Sequence, residues 1–307
     1  MPDINHQPLV SVGIMAYNRP EGLRQTLDCI TGQSYRNLQI TVSNNCSTDL
    51  AVAEVLAEYA AKDSRIKVFT QSKNIGPGAN FMFVLDQSIG EYYMWAADDD
   101  YWDSRFIESA LDLFIANPDA VAAFCAVKEK ESGQVTNYLK RCPALSSTDQ
   151  AQRLLAYLAW PEGANTKGSI LYSLHKRTNI AFCQDVVAKY CNTKYLGPDI
   201  FMLYHLLIRG RIVFSEAVLY EVAMRNIKHV GHNYKQGQFF GAHLFLILKK
   251  SLDLLWRREV FYYLVVKIIW QSDSPLPCVS YALYTILLRH LHALWAIVTW
   301  PFKKIHV

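Results

Sequence analysis

Residues 91–102, "EYYMWAADDDYW", run from an apolar, aromatic stretch straight into three consecutive carboxylates and then two aromatics. Side-by-side acids repel and raise one another's pKa, so the arrangement costs stability unless a cation or a solvated turn takes it up. Two readings follow from these residues. One is a polar turn closing a strand, and the other is a cation site at a strand end.

The flanking sequence favours an α/β fold. "LVSVGIMAY" (9–17) is a β-rich run ended by "NRPEGL", and "EGLRQTLDCITGQ" puts Leu23, Leu27 and Ile30 at helical spacing. "LQITVSN" (38–44) is a second strand ending in "NNCSTD", and "LAVAEVLAEYAAKD" (50–63) is a helix. "RIKVFTQ" (65–71) is a third strand followed by "SKNIGPG", "NFMFVLDQS" (80–88) a helix, and "GEYYMWAA" (90–97) the fourth strand. Further on are a helix at 106–119, a fifth strand at 120–127, a less regular stretch at 128–168, a helix at 194–210 and a β pair over 211–224. Strands alternating with helices imply a mostly parallel sheet with helices on both faces. In such sheets ligands bind outside the carboxyl ends of the strands. The polar segments 17–20, 43–49, 73–80 and 98–100 all fall there.

Bulk properties narrow the class. The chain has 307 residues, 51% hydrophobic, 13% aromatic and 19% charged, enough for a sizeable core and unlike a disordered chain. The net charge of +4 is uneven: from Arg225 onward eleven Lys and Arg face three acids, a balance of +8, which leaves −4 for residues 1–224. Such a basic, aromatic-rich C-terminal third points to an anionic partner such as lipid headgroups or phosphates. Because that excess lies among Leu- and Trp-rich segments, nucleic-acid binding is disfavoured. Seven scattered cysteines with no CxxC pair, and no basic leader before the first apolar run, indicate a cytoplasmic setting. Residues 236–307 read as amphipathic helices, with Tyr281, Thr285, Arg289 and His292 on one face. They suit peripheral contact with the inner face of a membrane, or a homo-oligomer interface.

The order "VSVGIMAYNRPEGLRQTLDCITGQSYRNLQITVSNNCSTD", "NIGPGANF" and "GEYYMWAADDDYW" resembles the family 2 glycosyltransferases, whose catalytic domain has the GT-A (Rossmann-like) fold. Within that family it looks most like bacterial enzymes that build O-antigen and other surface polysaccharides. The resemblance implies a catalytic domain over 1–235, with a nucleotide-sugar half to about 125 and an acceptor half over 126–235, and a helical region over 236–307. It also implies an inverting, Mn²⁺- or Mg²⁺-dependent transfer from a nucleotide-sugar donor, a UDP-sugar by the family's habit, to a glycan acceptor carried on a lipid. In place of the usual Asp-x-Asp this chain has Asp98, Asp99 and Asp100. The resemblance makes Asp99 the main metal ligand, gives Asp98 to the ribose or metal, and places Asp100 beside them. Ala16, Tyr17, Asn18 and Arg19 would line the nucleotide. Asn44 and Asn45 stand where the family commonly has acids facing the uracil imide. An amide carbonyl can accept that bond but also brings a donor. Ser47 or Asp49 would cap the next helix.

Asn74, Gly76 and Asn80 of "NIGPGANF" would approach the nucleotide, with Ala79 where relatives have Arg. "GPDIF" makes Asp199 the candidate general base, the competing reading being a carboxylate that favours a helix start by its dipole. From "MRNIKHVGHN", Arg225 and His229 would contact the donor diphosphate and His232 would complete the metal shell. Two other readings stay open: a nucleotidyltransferase, for which "AYNRPEGL" lacks the repeated glycines, and a degenerate nucleotide-binding module without turnover.

Overall fold

A computed structural model describes residues 7–160, 166–185 and 198–223, together with Val266, Ser280 and Leu283. Arg225, His229, His232 and the C-terminal helical region expected from 236 onward, those three single positions aside, lie outside the described residues.

The N-terminal half alternates as its pattern predicts: β1 (Val10–Ala16), α1 (Pro20–Thr31), β2 (Leu38–Asn44), α2 (Leu50–Lys62), β3 (Ile66–Thr70), α3 (Pro77–Asp86) and β4 (Tyr92–Ala97). A two-residue β5 (Tyr101–Trp102), α4 (Phe106–Ala116), β6 (Ala122–Glu129) and β7 (Val135–Thr136) follow. The rest holds α5 (Tyr138–Arg141), α6 (Gln150–Ala159), a 3-10 turn at Gly168–Tyr172, β8 (Leu174–Lys176), α7 (Pro198–Arg209) and β9 (Ile212–Val222). All nine strands join one sheet in the order β3-β2-β1-β4-β8-β6-β9-β5, with β7 on β6. Strands β3, β2, β1 and β4 are mutually parallel, and β8 joins β4 to β6 by antiparallel pairing.

Parallel strands covered on both sides read as unbroken apolar runs, and β1 is such a strand. Val12 and Ile14 are fully buried on one face. On the other, Gly13 lets α3 press in so closely that a Cβ there would stand 2.8 Å from Val84.

Three details differ from the expectation. Helix α3 begins at Pro77, three residues early, because Gly76 (φ 86°) turns the chain and Pro77 opens the first helical turn. The expected β pair over 211–224 is one strand, β9. Its middle, Ser215–Ala217, is a bulge opposite Cys125 where the register on β6 slips between Phe124 and Ala126, and it is no turn. The stretch 128–168 also contains α6, with Arg153, Leu154, Tyr157 and Leu158 buried.

The core holds a titrating group of its own. His175 of β8 is fully buried against Trp95; its Nε2 donates to the Leu171 carbonyl at 2.9 Å, and its Nδ1 has no partner among the described residues. Burial pushes the imidazole from 6.5 down to about 4. Because the folded state refuses a proton that the unfolded chain binds, this residue's contribution is complete above pH 6.5 and is lost as pH falls toward 4. The expected loss between pH 7 and 5 is about 2 kcal/mol. Buried Asp98 and Asp100, both raised to about 6 by burial, work in the opposite sense over an overlapping range. The check is therefore a difference. Urea unfolding of His175→Gln will show a pH 5-to-7 rise smaller than wild type by that amount, whereas equal rises would refute the assignment.

Candidate active site

Register alone brings the polar loops together. Ala16 at the end of β1 pairs with Asn44 at the end of β2, Asn44 with Thr70 of β3, and Met15 with Ala97 at the end of β4. The loops after these strands therefore open at one edge, and the acids leave β4 beside the first loop.

Helix α1 fixes the acid loop. The Thr26 hydroxyl donates to the Ala97 carbonyl at 2.9 Å, and the Gln25 amide donates to the Asp100 carbonyl at 3.1 Å. A Cβ on Gly22 would stand 2.2 Å from the Asp98 carbonyl oxygen, so any larger residue would force helix and loop apart.

The three carboxylates then diverge. Asp98 is buried, accepts the Tyr17 backbone N–H at 3.2 Å and is ion-paired to Arg19 Nη2. Burial raises it to about 6 against the pull of Arg19 and Tyr17. Asp99 is 24% exposed and takes Arg19 Nη1 at 2.5 Å. Asp100 turns the other way, accepting the Tyr220 hydroxyl and, at 3.0 Å, the Ala223 backbone N–H. So the loop offers two carboxylates to one cation. The third, which the sequence placed with the metal, is bonded into β9 and its end. Burial explains why Asp100 also sits near 6, with Tyr220 opposing.

The other expected donor residues divide in the same way. Asn18 adopts a left-handed conformation (φ 53°), and its Oδ1 accepts the backbone N–H groups of Thr48 (2.8 Å) and Asp49 (3.2 Å). Asn44 accepts the Ser47 N–H at 2.9 Å; Asn45 accepts that of Ile75 at 2.9 Å and donates to Asn74 Oδ1 at 3.1 Å. Asn80 is buried between the Ser43 hydroxyl and carbonyl. Asn18, Asn45 and Asn80 tie separate segments together, and Asn44 shapes its own loop. Asp49 caps α2 through the Ala51 N–H at 3.0 Å. Ala16 is buried at the strand end, while Tyr17 and Asn74 are exposed and Arg19 and Gly76 are half-buried on the open side.

Asp199 lies in the first turn of α7, half-buried, with Oδ2 pressed on the Gly168 backbone: a Cβ there would be 2.7 Å away. Burial raises its pKa against the Ile200 amide. Tyr172, whose ring packs 6.1 Å from that of Tyr220, lies within the electrostatic reach of Asp199 and the acid loop. The Tyr172 phenol is raised first by burial and then by Asp100, Asp99, Asp199 and Asp98, so all four carboxylates act on one side chain.

Sequence reasoning missed Tyr172, Tyr220 and Lys130, whose Nζ donates to the Asp99 carbonyl at 3.0 Å. Lys130 sits in a polar run after β6 that carries no local signal. The two tyrosines belong to chain segments some seventy and 120 residues further on, so only the fold brings them to the acids.

No group of three or more metal-binding side chains occurs among the described residues. Mg²⁺ and Mn²⁺ keep several waters and are held by one or two carboxylates plus substrate phosphates. Asp98 and Asp99 already converge on one positive group, and the residues present therefore fit such an ion.

A mostly parallel sheet with paired acids at the carboxyl end of a central strand is the arrangement expected of the GT-A architecture. Residues 11–182, more than half of the chain, match the family model described as glycosyl transferase family 2, and the chain belongs to that family of glycosyltransferases. It is 31% identical over 137 residues to an uncharacterized glycosyltransferase of Haemophilus influenzae, covering 43% of this chain and 42% of that protein. It is 28% identical over 111 residues to the putative teichuronic acid biosynthesis glycosyltransferase TuaG of Bacillus subtilis, covering 36% and 44%. The matched segment spans 13% to 55% of the length of such curated relatives. Among solved structures, TarS 1–349 of S. aureus superposes with a TM-score of 0.61 at 15% identity, over 90% of this chain and 71% of that one. Its complex with UDP-GlcNAc gives 0.60 at 16%, over the same shares. At these identities the likeness establishes the fold.

Proposed function

We propose that this enzyme transfers a sugar from a nucleoside diphosphate donor, UDP by preference, to a glycan hydroxyl with inversion at the anomeric carbon. The observation that carries the reading is the convergence of Asp98 and Asp99 on a single cation at the sheet's carboxyl edge. Support for the donor class comes from the shared fold of TarS, seen with UDP-GlcNAc, and support for a surface-polysaccharide acceptor from the name of TuaG.

In this reading Asp98 and Asp99 hold Mg²⁺ or Mn²⁺, which when bound neutralises charge on the departing diphosphate. The exposed Tyr17 and Asn74 and the half-buried Gly76 line the nucleotide, and Asn18, Asn44, Asn45 and Asn80 shape the loops that carry them. Asp199 accepts the proton of the acceptor hydroxyl as its oxygen bonds to the anomeric carbon. The bond from that carbon to the diphosphate breaks on the opposite face, releasing the nucleoside diphosphate. Arg225 and His229 on the diphosphate, and His232 on the metal, extend this reading to residues outside the described set. Among the described residues no helix is long and apolar enough to cross a membrane. The +8 segment from Arg225 would bring the enzyme to anionic lipid, where a lipid-linked acceptor resides.

The test is thermal unfolding with a panel of nucleoside diphosphates, with and without Mn²⁺. Ligand at about a hundred times Kd adds about 2.7 kcal/mol, or about 5 °C or more for a domain of this size. UDP is expected to give that rise only with metal. A rise that ignores metal, with no turnover of any UDP-sugar, would favour a nucleotide-binding module without catalysis.

A further inference from the structure

The Arg19 side chain makes two contacts at once, Nη1 on Asp99 and Nη2 on Asp98. These are the two carboxylates that the proposed function gives to the metal, and a fork of this kind matches their geometry as a dication would. A guanidinium and a divalent ion cannot share the same oxygens, since like charges at contact distance repel strongly. The cation seated on the pair is part of the chain itself.

Arg19 has somewhere to go. Its side chain is 39% exposed, and it stands immediately before Pro20, where α1 begins and the first-turn N–H groups add positive potential. Asp98 keeps its other anchor, the Tyr17 N–H, so the acid loop does not depend on Arg19 alone. Lys130 remains on the Asp99 carbonyl as a second fixed cation at the same turn.

We infer that Arg19 is a built-in counter-cation that couples metal binding to donor binding. It occupies Asp98 and Asp99 in the free enzyme, yields them to the metal, and takes the donor diphosphate as its new anionic partner. Metal alone must break the ion pair with nothing to replace it. Metal with a nucleoside diphosphate exchanges one ion pair for another. By linkage, each ligand then strengthens the other by the same factor. The inference rests on the metal-site reading above and goes beyond it by giving Arg19 two successive partners.

The experiment is Mn²⁺ titration followed by electron paramagnetic resonance of the free ion, with and without saturating UDP, on wild type, Arg19→Ala and Arg19→Gln. Two neutral variants guard against one that misfolds, and circular dichroism checks both. In wild type UDP is expected to tighten Mn²⁺ about a hundredfold. In the neutral variants Mn²⁺ alone binds about tenfold tighter than in wild type, and the UDP effect falls to a few-fold. Equal Mn²⁺ affinity without UDP in wild type and both variants would overturn the counter-cation role and leave the metal site standing. Failure of all three proteins to bind Mn²⁺ even with UDP would overturn the role and the metal site together.

Discussion

Asp99→Ala will lower kcat/KM for sugar transfer by about a thousandfold or more, equivalent to about 4 kcal/mol of transition-state stabilisation. The reason is charge. Departure of a nucleoside diphosphate concentrates negative charge at the edge where Asp98 and Asp99 gather a cation, and removing one carboxylate halves the anionic grip. Asp99 is the cleaner probe of the two. Its side chain is partly exposed, so truncation should change unfolding free energy by less than about 1 kcal/mol. Asp98 is buried and accepts the Tyr17 N–H, so its loss would also loosen the first loop. Steady-state kinetics with a UDP-sugar, beside urea unfolding, separates the two effects. Activity within tenfold of wild type would show that the acids merely end a strand.

Asp199→Asn will lower kcat by about 10² to 10⁴ while the affinity for UDP with Mn²⁺ stays within about threefold. A general base acts on the acceptor proton and makes no contact with the nucleotide, so the loss belongs in kcat. Burial raises the Asp199 carboxyl, and the base works only when ionised. The wild-type kcat should therefore rise with pH along an acid limb displaced above the ordinary carboxylate range, and the variant should lack that limb. Full kcat in the variant would reduce Asp199 to a favourable charge at the start of α7.

The parts of this architecture legible in the sequence are those set by short-range chemistry. β4 and most of β1 read as strands from apolar runs buried on both faces, and β2 from its strict alternation of Leu38, Ile40 and Val42 with Gln39, Thr41 and Ser43. The acid loop stood out because three adjacent carboxylates need an explanation wherever they lie. β9 misled because Ser215–Ala217 looks like a turn, whereas pairing with β6 carries the chain through a bulge. The amides misled differently. Asn18 and Asn45 are polar residues at the sheet's open edge whose side chains accept backbone N–H groups of neighbouring loops, contacts that no single loop discloses, whereas Asn44 accepts Ser47 within its own loop. Arg19 stood out at the end of β1 but not as the partner of acids eighty residues away, because that pairing exists only once β1 and β4 lie side by side.

The most direct measurement is anomalous diffraction at the manganese edge from crystals grown with UDP and Mn²⁺. One peak within about 2.3 Å of carboxylate oxygens of both Asp98 and Asp99, with diphosphate oxygens in its shell and Asp100 still on Tyr220, is the predicted result. A nucleotide bound at this edge with no peak there, and Arg19 still seated on both acids, would contradict it.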